Sequence, residues 1–262
     1  MLMPDILKEQ ISIRNQNLHF TQTGEGPVVL FLHGAGAAGS NPFEPMLERL
    51  NSSFHVIVPE HPGYGYSDKP DWIKSIPDVA YFYLDFLEQM DLSDIHLIGN
   101  SMGGWIACEI AIRNTQRLQS LTLIGSVGIN IEGVSPPMYL FDKTPEEIMR
   151  LALTDEKIIE ELLSIQPSEE QEKINARNME TAAQYVSTPY SDGLHNWLHR
   201  IDVPTLILAG DGDDLVSPEY LREFEKRIPN SKMSILEDCG HIPSLERPDL
   251  LNSVFREFVG NL

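Results

Sequence analysis

The chain is poor in cysteine, poor in positive charge and without long apolar runs, and each shortage removes a class of function. Its two cysteines, Cys108 and Cys239, have neither C-x-x-C spacing nor zinc-type partners, so two free thiols are expected. No H-E-x-x-H occurs, and no metal site or cofactor is expected. Lys and Arg number 19 against 39 Asp and Glu, a formal net charge of −20. No basic cluster interrupts that charge, which repels phosphate backbones and anionic lipid surfaces; neither nucleic acid nor membrane is an expected partner. A run of about 18 apolar residues is absent. Lys8 and Glu9 stand where a signal peptide has its apolar core, so a cytoplasmic location is expected. There are no internal repeats and no low-complexity segments.

What is present fits one α/β domain with an excursion. A chain of 262 residues, 42% hydrophobic, can bury one sizeable core. Short apolar runs predict strands at Gln10 to Arg14, Leu18 to Gln22, Val28 to Leu32, His55 to Val58, Ile95 to Ile98, Ser120 to Ile124, Thr205 to Leu208 and Met233 to Leu236. Helices are expected from near Pro42, Pro77, Ser101, Pro218 and Pro248, several opened by a proline whose missing N–H costs little in a first turn. Strand and helix alternate from Val28 onward, which predicts a mostly parallel sheet covered on both faces. The alternation breaks between about Val127 and Arg200. There the chain is polar and strand-poor, with helices expected over Glu146 to Leu153, Asp155 to Leu163 and Ser168 to Tyr185.

The chemistry concentrates at Ile95 to Trp105, where a strand runs into Gly99-Asn100-Ser101-Met102-Gly103 and then a helix. G-x-S-x-G in this context places the serine on a sharp, strained turn, and the flanking glycines remove side chains that would collide there. A serine hydroxyl is a weak nucleophile until a base takes its proton, so a histidine and an acid must follow. Of eight histidines, His241 sits in a short loop after a strand, beside Gly240. His61, also in a loop, is a weaker alternative. The acid should end the preceding strand, where Gly210 is followed by Asp211, Asp213 and Asp214; the offset past the turn favours Asp213, with Asp214 as runner-up.

These pieces resemble the α/β-hydrolase family with a helical cap. The matching segments are His33-Gly34-Ala35-Gly36, Pro62 to Asp68, the Gly99 to Gly104 elbow, Gly210 to Asp213, and Gly240-His241 with Glu246-Arg247-Pro248, in the family's order of nucleophile, acid and histidine. The resemblance implies a mostly parallel eight-stranded sheet with helices on both faces. Its core would be 1–126 and 201–262, with a helical cap at 127–200. It also implies that His33 to Gly36 is an oxyanion loop. Gly34, Gly36 and Gly39 satisfy G-x-G-x-x-G after a strand, and Glu60 mimics a ribose-binding acid, but a dinucleotide cradle needs its third glycine inside the helix. Proline inside a helix costs about 3 kcal/mol, so Asn41 and Pro42 read as the start of a helix that begins after the glycines. The N–H groups of Ala35 and Met102 are therefore expected to face a developing oxyanion.

The expected activity is hydrolysis of a small to medium ester with an apolar part, through Ser101, His241 and Asp213. Gly34, Trp105, Met138, Trp197 and Ile242 are the expected substrate contacts, within a wider apolar set that also holds Tyr139, Phe141, Met149, Met179 and Tyr185. The elbow Gly-Asn-Ser-Met-Gly-Gly is also similar to that of hydrolases that cleave carbon–carbon bonds in aromatic ring-cleavage products. Those enzymes usually have Trp after the catalytic histidine, where this chain has Ile242. A hydrolase-like receptor that binds without turnover is the third alternative, and monomer and homodimer both stay open.

Overall fold

The structure is a computed structural model, and it describes residues 7–36 and 44–262. The chain begins with a hairpin, β1 (Leu7–Ile13) and β2 (Gln16–Thr23). Arg14 belongs to its turn rather than to the strand, because a two-residue turn needs positive φ twice, here 50° at Arg14 and 63° at Asn15. Then follow β3 (Val28–Leu32), α1 (Glu44–Leu50), β4 (His55–Pro59), α2 (Ile76–Gln89), β5 (Ile95–Asn100), α3 (Met102–Ala111) and β6 (Leu118–Ile124). Between β6 and the next long strand lie β7 (Gly128–Ile129), α4 (Pro145–Ala152), α5 (Glu156–Ser164), α6 (Glu169–Tyr185) and β8 (Tyr190–Ser191). The chain ends with β9 (Thr205–Gly210), α7 (Pro218–Glu225), β10 (Ser231–Leu236), α8 (Pro243–Glu246) and α9 (Pro248–Gly260). Asn41 and Pro42, read above as a helix start, lie outside the described residues.

Eight strands form one sheet in the order β1-β2-β4-β3-β5-β6-β9-β10. Only β2 runs against its neighbours; every pair from β4 onward is parallel. The inner parallel strands β3, β4, β5, β6 and β9 are buried along nearly their whole length because both faces are covered, and successive side chains alternate between two cores. Leu30, Leu32, Ile57, Leu97, Leu121, Leu123 and Ile207 join one apolar cluster with Tyr83 of α2, Ile106 of α3 and Phe224 of α7. Val29, Phe31, Val56, Val58, Ile98, Leu206 and Leu208 point the other way, toward Met46 of α1 and Phe255 of α9.

The three helices between β6 and β9 start at sequence-encoded caps. Thr144 accepts from the Glu147 N–H while Glu147 accepts from the Thr144 N–H, a reciprocal box. Asp155 and Ser168 cap α5 and α6 one way only, each side chain accepting from first-turn N–H groups. Among the described residues no helix is long and apolar enough to cross a membrane.

Candidate active site

The carboxyl ends of β5, β6, β9 and β10 form one rim, and the loops leaving them hold the residues singled out in the sequence. Ser101, between β5 and α3, has φ 56° and ψ −117°, a left-handed backbone that a non-glycine residue adopts only when its surroundings impose it. The surroundings do so through close packing. A Cβ at Gly103 would lie 2.0 Å from the Leu32 carbonyl oxygen, and one at Gly99 would lie 2.4 Å from the Gly103 oxygen. The Ser101 N–H donates to Ile124 O at 2.8 Å, which pins the turn to β6.

His241 and Asp213 meet on the same rim. His241 Nδ1 and Asp213 Oδ2 are 2.7 Å apart, and both residues are only 6% exposed. Asp213 Oδ1 accepts from the N–H groups of Leu215 and Val216, both at 2.9 Å, so the carboxylate cannot swing away. A carboxylate only accepts; the imidazole proton therefore resides on Nδ1 and leaves the Nε2 lone pair as a base. Asp214, the alternative acid, is exposed, with its backbone N–H on Leu151 O. Two residues that sequence reasoning passed over complete the assembly. Asn100 Nδ2 donates to both Ile124 O (3.1 Å) and His241 O (3.3 Å), tying the residue before the serine to the histidine loop. Gly125, with φ +50°, leaves the space in which the ring lies, since a Cβ there would be 2.8 Å from His241 Nδ1. A glycine closing β6, as Gly210 closes β9, was the available signal.

Gly34 abuts the serine: a Cβ on it would be 3.2 Å from Ser101 Cβ. The loop that carries it is held by a buried two-histidine cluster. Tyr83 O–H donates to His61 Nδ1 (2.6 Å), His61 Nε2 donates to the His33 carbonyl (2.9 Å), and His33 Nδ1 donates to the Gly34 carbonyl (2.8 Å). The His61 backbone N–H, at 3.4 Å, gives His33 Nε2 its own donor. Burial pushes the His33 imidazole down to about 4. His61 is held well below the usual histidine range by burial and by the adjacent His33 ring, so both are neutral near pH 7. His61 thus sits under the loop as a strut, away from the Asp213 pair. Met102, buried at the start of α3, has one of the N–H groups for which a helix supplies no internal acceptor.

The expected substrate contacts fall into three groups. Gly34 and Ile242 belong to the rim. Trp105 is buried in α3, its Nε1 donating to Glu109 Oε1 at 3.3 Å and its ring packed on Gly128. Met138 and Trp197 are 40% and 53% exposed. The Met138 backbone nevertheless touches the acid loop, donating to Leu215 O at 2.9 Å.

A sequence profile of the alpha/beta hydrolase fold matches residues 27–154 and 138–248 of this chain. The chain belongs to that family. It is similar to Lipase 1 of Psychrobacter immobilis, 28% identical over 249 residues that cover 89% of this chain and 77% of the lipase. It is equally similar to 2-hydroxy-6-oxononadienedioate/2-hydroxy-6-oxononatrienedioate hydrolase 1 of Pseudomonas putida, 29% identical over 93% of this chain and 92% of that one. Among solved structures, the 2-hydroxy-6-oxo-6-phenylhexa-2,4-dienoate hydrolase of a Rhodococcus strain superposes with TM-score 0.79 at 22% identity, over 98% of this chain and 99% of that one.

Proposed function

We propose that the protein is a serine esterase acting on uncharged carboxylic esters, with residues 127–200 as a cap over the rim. The observation that carries this reading is the Asp213–His241 pair, whose geometry leaves Nε2 as a base on the rim that also carries the strained serine. In the proposed cycle Ser101 Oγ attacks the ester carbonyl while His241 Nε2 takes its proton. The N–H groups of Ala35 and Met102 hold the oxyanion, a contribution typically of order 10²- to 10³-fold per donor. Collapse breaks the bond to the alcohol, which leaves with the proton from His241. Water, deprotonated by His241, then attacks the acyl-serine, and the carboxylic acid is released as Ser101 recovers its proton.

Charge supports the choice between esters and the second reading, carbon–carbon cleavage. Relatives in that second class are named for dienoates, which carry a carboxylate. A buried carboxylate needs a cation, and none of this chain's 19 Lys and Arg is buried, whereas Asp213 and Glu246 are. Ser101→Ala should lower turnover of a p-nitrophenyl butyrate substrate by about 10⁴-fold or more without changing the melting temperature. A wild-type rate in Ser101→Ala would overturn the reading. So would turnover of 2-hydroxy-6-oxo-6-phenylhexa-2,4-dienoate by a protein inert toward a panel of p-nitrophenyl esters.

A further inference from the structure

Glu246 belongs to a segment matched in sequence but given no task by the cycle above. It ends α8, is 6% exposed, and divides its two carboxylate oxygens between two parts of the molecule. Oε1 accepts from the Thr154 N–H (2.6 Å), the Thr154 hydroxyl (2.8 Å) and the Asp155 N–H (3.1 Å). Oε2 accepts from the Gly240 N–H at 2.7 Å, one residue before His241. The last turn of α4, just before Thr154, touches both catalytic loops. Ala152 O accepts from the His241 N–H at 2.6 Å, and Leu151 O accepts from the Asp214 N–H at 3.3 Å. There is no room to slide: a Cβ on Gly240 would lie 2.3 Å from Ala152 O, and one on Gly212 would lie 2.4 Å from Thr154 Cγ2.

We infer that Glu246 is a positioning residue for His241, holding the histidine loop against the end of α4 so that the seating of residues 127–200 sets where the imidazole stands. This rests on the reading of His241 as the base. The physical reason is that a buried carboxylate with four donors is fixed in place, and whatever shares it is fixed with it. Without the Gly240 bond, two hydrogen bonds among the described residues still join the histidine loop to the end of α4 and the turn after it: the His241 N–H on Ala152 O and a long one, 3.4 Å, from the Thr154 hydroxyl to Asp238 O.

Glu246→Gln separates the two halves of the clamp. An amide has one accepting oxygen and one donating nitrogen. The orientation that keeps three bonds places the oxygen toward Thr154 and Asp155 and turns the NH₂ toward the Gly240 N–H, donor against donor. The protein therefore folds with residues 127–200 still seated, while the histidine loop loses its carboxylate anchor at Gly240. The experiment measures kcat and KM for p-nitrophenyl butyrate, with active sites counted by a fluorophosphonate that labels Ser101. Expected is a fall of about tenfold or more in kcat per titrated site with KM within about twofold, the pattern of a lost transition-state interaction. Glu246→Ala, which frees both halves, should fall further and lose melting temperature as well. A wild-type kcat per titrated site in Glu246→Gln would overturn the inference, as would a loss confined to KM or to the number of titratable sites. If wild-type protein is not labelled and Ser101→Ala retains full activity, the serine reading fails, and the positioning role falls with it. If Ser101→Ala is inactive while Glu246→Gln is unaffected, the positioning role alone is lost.

Discussion

Helix α3 and the helices of residues 127–200 are held in place by different physics. All ten residues of α3 are buried. By contrast α4 buries only Ala152, α5 only Ile159, and α6 only Asn178, Thr181, Ala182 and Tyr185. What fixes α6 is directional. Arg177 donates to the Gly65 and Ser67 carbonyls at 2.9 and 2.6 Å, Asn178 accepts from the Gly65 N–H at 2.9 Å, and Thr181 and Tyr185 reach the Gly63 and Pro62 carbonyls at 3.2 and 3.0 Å. Apolar burial is non-directional and roughly additive in area, so α3 is gripped from every side. Hydrogen bonds define an orientation and can be released one at a time. On the proposed reading, Ser101 rests on the first kind of support and residues 127–200 on the second.

The comparison breaks most visibly at α3. Gly103→Ala places a methyl 2.0 Å from the Leu32 carbonyl oxygen, a backbone atom that cannot rotate aside. A loss of about 3 kcal/mol or more is expected in urea melts, at the upper end of overpacking costs. A shift below 1 kcal/mol would mean that the elbow is far more pliant than its contacts imply.

Acid tests the buried polar layer beside α3. His33 titrates near 4 when folded and near 6.5 when unfolded. Between those values the unfolded chain binds more protons, so stability rises with pH and is lost as pH falls below about 6.5 toward 4. From His33 alone the loss at pH 5 is about 2 kcal/mol, and His61, also depressed, adds in the same direction. Urea melts at pH 7 and pH 5 check this. Equal stability at the two values would mean that the cluster is hydrated or charged in the folded protein.

At α6 the expected effect is smallest and local. Arg177→Ala removes two charge-assisted bonds between half-buried groups, about 1–2 kcal/mol in all. It should appear as faster amide exchange or proteolysis within 169–185 rather than as a large change in global melting. A global loss as large as that of Gly103→Ala would erase the distinction between the two regions.

Residue patterns carried the strands, the elbow and the histidine loop, because each is a local property: an apolar run, a strained turn between glycines, a glycine before a histidine. They left Asp213 and Asp214 as neighbours in rank, and burial separates them, one bonded to His241 and the other in solvent. His61 had the sequence character of a loop histidine free to act, and a tyrosine from α2 turns it into a strut. The roles of Asn100, Gly125 and Glu246 depend on partners far along the chain, 141 residues away in the case of Asn100 and His241. Met138 and Trp197 show the converse, apolar in type but exposed: Met138 lies in the irregular segment before α4 and Trp197 between β8 and β9, outside any α-helix or strand whose packed face would cover it.

Taken alone, the order of amino acids determined an α/β sheet with alternating faces and a serine forced onto a sharp turn, because periodicity and backbone sterics act over a few residues. Tertiary structure decided which carboxylate faces the imidazole, which histidine is merely a support, and that a glutamate near the end of the chain ties residues 127–200 to the histidine loop. Those outcomes need groups distant in sequence to share one dry space, where a donor without an acceptor is costly and each pairing excludes the alternatives.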